Sequence, residues 1–102
     1  MTEIWKYTFE YGKTIHFIPI TGRGVLSVGQ DHKRENCLWV EVDPDKASVP
    51  VTVVVVGTGH KIPDDVLLRF VGTICDGPLR WHVFIKFDRV TDSDATDSRK
   101  DG

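Results

Sequence analysis

A glycine-broken turn, Gly57-Thr58-Gly59-His60-Lys61, follows directly on a run of valines and leads into Ile62-Pro63-Asp64-Asp65. Glycines, a histidine, a lysine and paired carboxylates crowd together here as nowhere else in the chain. Glycine at 57 and 59 opens positive φ to the backbone, so that successive N–H groups can converge on an anion. Thr58, His60 and Lys61 add donors for a phosphate or a carboxylate. These five residues form the candidate ligand site. A simpler reading is that a strand stops here and one helical turn begins over 62–67. Pro63 would then take the first helical position, with Asp64 and Asp65 at the positive end of the dipole. The long helix that a phosphate loop requires does not follow, so the turn is not one.

Other chemistry is thinly supported. His60 with Asp64 and Asp65 falls short of the three or four convergent ligands of a zinc site, and no metal or other cofactor is expected. His82 as a general base needs a partner that the sequence does not reveal. Cys37 leads into Leu38-Trp39-Val40, a strand interior and not a strained nucleophile turn. No catalytic constellation emerges, and the expectation is a protein that is not an enzyme. Two stretches instead mix cations with histidine or an aromatic ring: His32-Lys33-Arg34 in a polar connection, and Arg80, His82 and Phe84 along one face of the last strand. Arg and aromatic side chains are common interface anchors, so these six residues are the candidate protein-interaction set.

The charge pattern excludes some partners. The 102 residues carry 15 acids and 13 bases, and residues 91–102 hold four Asp against Arg99 and Lys100, so the rest of the chain is neutral. A neutral body argues against non-specific nucleic-acid binding, which needs a basic face. Two cysteines, Cys37 and Cys75, lie in apolar runs and read as buried free thiols. The N-terminal MTEIWKYTF lacks a basic start followed by an apolar run, and no apolar run is long enough to span a bilayer. An intracellular protein without a membrane partner is expected.

The elements that must position these residues are strands. Ile4–Tyr11 alternates with period two, placing Trp5, Tyr7, Phe9 and Tyr11 on one face. Thr14–Ile20 follows, then a flexible Thr21-Gly22-Arg23-Gly24 and a third strand over Val25–Gly29. Cys37–Val42 makes a hairpin with it, with Leu38, Val40 and Val42 sharing a face. Asp43-Pro44-Asp45-Lys46 is a turn. The valine run of Val49–Val56 reads as a central strand buried on both faces. Leu68–Ile74 and Leu79–Phe87 form a second hairpin around Asp76-Gly77-Pro78, with Trp81, Val83, Ile85 and Phe87 inward. Arg80, His82, Phe84 and Lys86 face outward, and this strand reads as a guarded edge or a dimer seam. The fold class is all-β: one domain over residues 1–90, a small sandwich or partly open barrel of about seven short, mainly antiparallel strands with one short helical turn. Residues 91–102 read as a disordered acidic tail.

Ile4-Trp5-Lys6-Tyr7, Leu26-Ser27-Val28, Cys37-Leu38-Trp39 and Val42-Asp43-Pro44-Asp45 carry a resemblance that continues through Val56–His60, Ile62-Pro63-Asp64, Val71-Gly72-Thr73 and Trp81–Phe84. In their order and spacing they resemble a family of small proteins encoded by bacteriophages and prophages, of unknown function. No site residue carries over. The resemblance implies a small accessory product acting in the bacterial host cytoplasm. In that setting the first expectation is a stoichiometric inhibitor of a host antiviral defence protein or complex. An alternative is a sequesterer of a small phosphate-bearing nucleotide at Gly57–Lys61, completed in a homo-oligomer by Arg80 or Arg23 of a second chain. A further alternative is a virion component.

Overall fold

Seven strands follow one another in the computed structural model, which describes residues 1–64 and 67–87. They are β1 (Glu3–Thr8), β2 (Lys13–Ile18), β3 (Ile20–Gln30), β4 (Asn36–Val42), β5 (Val49–Gly57), β6 (Arg69–Asp76) and β7 (Leu79–Phe87). They form two antiparallel sheets, one of order β1-β4-β3 and one of order β2-β5-β7-β6. The expected all-β fold is formed, and of its two alternatives, sandwich or partly open barrel, the two separate sheets make it the sandwich; both expected hairpins, β3–β4 and β6–β7, are present.

The inward faces supply the core. Leu38, Val40 and Val42 of β4 are fully buried, as are Val51 and Val53 of β5 and Val83 and Ile85 of β7. A run of valines suits a strand flanked on both sides, and β5 lies between β2 and β7. The last strand is internal too. β7 sits between β5 and β6, so it is not the edge strand expected and offers no free edge for pairing with a second copy.

β3 differs from its expected extent. Thr21–Gly24 is part of the strand and not a flexible connection. Register shifts between Ile20 and Val25, and again before Ser27, make it a bulged strand. Gly22 and Gly24 adopt φ of 57° and 73°, which other residues resist. Glu41 of β4 holds the bulge, accepting from the Arg23 backbone N–H at 3.1 Å and from Arg23 Nε at 3.3 Å.

The two sheets meet along β3 and β6. The approach is so close that a Cβ at Gly72 would lie 2.8 Å from Val28 Cγ2. At one end of the sandwich the turns between β1 and β2, β3 and β4, and β6 and β7 gather with the end of β5. Tyr11 binds this end together: its hydroxyl donates to Asp76 Oδ2 at 2.6 Å, and its ring stacks on Trp81 at 4.3 Å.

Strand order has a consequence for the residues after β5. Both β5 and β6 run antiparallel to β7, so they are parallel to each other with β7 between them. The connection over 58–68 must therefore return along the length of the sheet before β6 begins. Its residues His60, Lys61, Pro63 and Leu68 lie against the outer face, where Val56 is 7% and Thr52 4% exposed. This covering gives β5 its second buried face. The helical turn expected over 62–67 falls partly on Asp65 and Val66, outside the described residues, and Ile62, Pro63 and Asp64 are not helical. The tail over 91–102 and the boundary at residue 90 also lie outside them.

Candidate functional site

The crossing connection divides the outer face of the four-stranded sheet into hollows that meet at His60. On the β2 side a cavity of about 490 Å³ is lined by Lys13, Lys61, Lys86, His60 and Thr52, with Ile15, Val54, Val56, Pro63 and Leu68 as its apolar wall. On the β6 side a hollow of about 320 Å³ is lined by Ile62, Phe70, His82 and Phe84 together with Val56 and the Gly57–His60 turn. At the end of the sheet, His60 and Thr58 border a third with Arg80 and Trp81.

Each part follows from local chemistry. Lys13 opens β2 immediately after Gly12, whose φ of 101° makes the turn. Thr52 and Val54 project outward from β5, opposite Lys86 and Phe84 of β7 in register. His60 is folded back over Gly57, and its own N–H donates to Gly57 O at 3.0 Å. Among the described residues lining the larger cavity, three are lysines, one is a histidine and none is acidic. A cationic, partly apolar hollow of this size suits a small anionic ligand with an apolar portion.

The Gly57–Lys61 turn reaches this site by side chains and not as the backbone nest expected. Only Gly59 takes positive φ, at 89°. The Thr58 N–H donates to Arg80 O at 3.3 Å and the His60 N–H to Gly57 O, so these amides close the turn and do not converge on an anion.

The interaction set is dispersed. His82 sits between two hydroxyls, its Nε2 at 2.8 Å from Thr58 Oγ1 and its Nδ1 at 3.0 Å from Thr73 Oγ1. Arg80 folds back on its own turn, Nη1 donating to Gly77 O at 2.8 Å and Leu79 O at 3.0 Å. Phe84 is half-buried and meets Phe70 edge-on, with ring centroids 5.5 Å apart. His32, Lys33 and Arg34 are exposed at the other hairpin. Asp31 shapes that turn, its Oδ1 accepting the N–H groups of Lys33 and Glu35 while Oδ2 meets Lys6 Nζ at 3.0 Å. These bonds, with the Glu35 N–H foremost, hold the Asp31 carboxyl well below the usual carboxylate range. Arg34 borders a separate cleft with Glu10, Glu35 and Asp76.

The thiols divide. Cys37 is buried and burial pushes its thiol up, whereas Cys75 is exposed, contrary to the expectation of two buried thiols. No cluster of metal-binding side chains occurs among the described residues.

Sequence reasoning missed Lys13, Thr52, Val54, Leu68 and Phe70 as lining residues. They come from four parts of the chain, and only the order β2-β5-β7-β6 brings them to one face.

No curated protein and no solved structure matches the chain. The Domain of unknown function (DUF7352) matches residues 1–92, and the chain belongs to that family.

Proposed function

We propose that the chain is a non-enzymatic binding protein that captures a small phosphate-bearing nucleotide on the outer face of its four-stranded sheet. One observation carries this: the cavity of about 490 Å³ in which Lys13, Lys61 and His60 stand around an apolar wall. Lysines supply point charges for phosphate, and the apolar wall accepts the uncharged part of the ligand. Isothermal titration with ATP, GTP and cyclic di-GMP tests it. Binding by the native chain, lost in a Lys13→Ala, Lys61→Ala double variant that still folds, is the expected result. No binding to any of these probes, or full binding by the folded double variant, overturns the proposal.

The resemblance to phage-encoded proteins supplies a setting, in which stoichiometric capture in the host cytoplasm removes a nucleotide signal of antiviral defence. A second reading, an inhibitor that covers a host defence protein, draws on the exposed His32-Lys33-Arg34 turn. Asp31 preorganises that turn, which lowers the ordering cost of binding. Arg34→Glu abolishing capture of a host protein while nucleotide binding persists would favour it.

A further inference from the structure

We infer that the hollow on the β6 side of His60 is a nucleobase subsite continuous with the lysine cavity. This rests on the nucleotide reading above. The two hollows share Val56 and His60, so a ligand whose phosphates lie between Lys13 and Lys61 reaches the second hollow by passing His60. Its walls suit a flat aromatic ring. Phe84 comes from β7, Phe70 from β6 and Ile62 from the crossing connection. Phe70 is 54% and Ile62 56% exposed, an unusual amount of apolar surface to leave facing solvent beside a cavity. Bases stack on aromatic side chains irrespective of identity, because every base has a π-face.

The polar rim adds a second argument. Thr58 Oγ1, His82 and Thr73 Oγ1 form one hydrogen-bonded chain. Each hydroxyl both donates and accepts, and the neutral imidazole exists in two tautomers. When the Thr58 hydroxyl donates to Nε2, its oxygen lone pairs remain to accept from an exocyclic amino group. When Nε2–H donates to Thr58, the Thr58 hydroxyl proton is available to a carbonyl or ring nitrogen. The site thus meets either kind of base edge by reversing the chain. Broad acceptance of purine nucleotides, rather than selection of one base, is the expected specificity.

The test compares tripolyphosphate, which has no base, with ATP and GTP by isothermal titration on the full chain. Phe70→Ala is the informative variant, because an exposed side chain is removed and folding is retained. The expected result is that ATP and GTP bind with similar affinity, about tenfold or more tighter than tripolyphosphate. Phe70→Ala is expected to weaken the nucleotides by about tenfold and leave tripolyphosphate unchanged. Equal affinity for nucleotides and tripolyphosphate, both insensitive to Phe70→Ala, overturns the base subsite and leaves the lysine cavity standing. A Phe70→Ala loss that is the same for tripolyphosphate also overturns it, because the effect is then on the cavity. If neither nucleotides nor tripolyphosphate bind, both readings fall. Thr58→Val, which keeps the side-chain shape, is expected to weaken ATP and GTP alike and to leave tripolyphosphate unchanged. Unchanged, equal ATP and GTP affinities in that variant would overturn the role given to the hydroxyl chain.

Discussion

The imidazole of His60 lies directly over Gly57, so close that a methyl group at position 57 would stand 3.1 Å from His60 Nδ1 and 3.1 Å from the Trp81 ring. Residue 57 is thus pinched between the side chain that joins the three hollows and one that closes the core. Its glycine is required by space and not by backbone angle, since its φ is not positive. Gly57→Ala should push His60 outward, because His60 is exposed and Trp81 is half-buried. The expected stability loss is about 1 kcal/mol, a fall in Tm of about 4–8 °C, together with weakened nucleotide binding. Thermal unfolding and titration on the same sample check this, and unchanged binding would remove His60 from the site.

Gly72 stands in a similar relation to Val28 across the sheet junction. Gly72→Ala places a carbon 2.8 Å from Val28 Cγ2, both in backbone-paired strands that have little room to retreat. We expect a loss of about 1–3 kcal/mol in chemical denaturation. Val28→Ala in the same chain should restore part of it, and strictly additive losses would show that the junction is looser than the structure indicates.

Asp31 makes stability depend on acid. Its carboxyl is lowered in the fold, chiefly by the Glu35 N–H and then by Lys6. The unfolded chain therefore binds its proton first as pH falls. The stabilisation is complete above the unfolded carboxyl value of 3.8 and is lost as pH drops from there through the lower folded value. Asp31→Asn should flatten that part of the pH–stability curve and leave the curve near neutrality parallel to the native one. An unchanged acid limb would assign the dependence to other carboxylates.

Lys6 is raised by the same pair, first through its bond to Asp31. Its contribution is present below the ordinary lysine value of 10.5 and is lost as pH rises through the higher folded value. Lys6→Met should remove that alkaline loss in a urea series; a persisting loss would exclude the pair as its source.

The thiols offer a direct check on the sandwich. Cys75 is exposed at the end of β6, whereas Cys37 is fully buried in β4 and its Sγ donates to Glu35 O. A thiol reagent should modify Cys75 in the native protein and reach Cys37 only after unfolding. Rapid labelling of Cys37 under native conditions would contradict the central position of β4.

Much of the fold was legible in local pattern. Alternation placed Val83 and Ile85 inward on β7 and Leu38, Val40 and Val42 inward on β4, and all five are fully buried. The valine run announced a strand covered on both faces, and the Asp43–Lys46 turn closes with the Lys46 N–H donating to Asp43 O at 3.0 Å. These features depend on near neighbours and on a period of two. Apolar surroundings mislead at Cys75: its neighbour Ile74 points inward, so Cys75, paired with Arg80, faces out. Thr21–Gly24 reads as a loop in sequence because two glycines in a row of four look alike in a flexible segment and in a kinked strand held by Glu41.

The candidate site divides in the same way. Residue types alone singled out His60 and Lys61, which do line the cavity, and Phe84 and His82, which line the neighbouring hollow. The sequence by itself determined seven strands in outline, the inward faces of β4 and β7 and the local turn at Gly59. Only the tertiary structure decided that β5 and β6 run parallel with β7 between them. That order sends the connection back across the sheet and carries His60 between lysines from β2 and β7 and the phenylalanines of β6 and β7. Pairing between strands far apart in the chain is settled by the global burial of their faces, and no short stretch of residues encodes it.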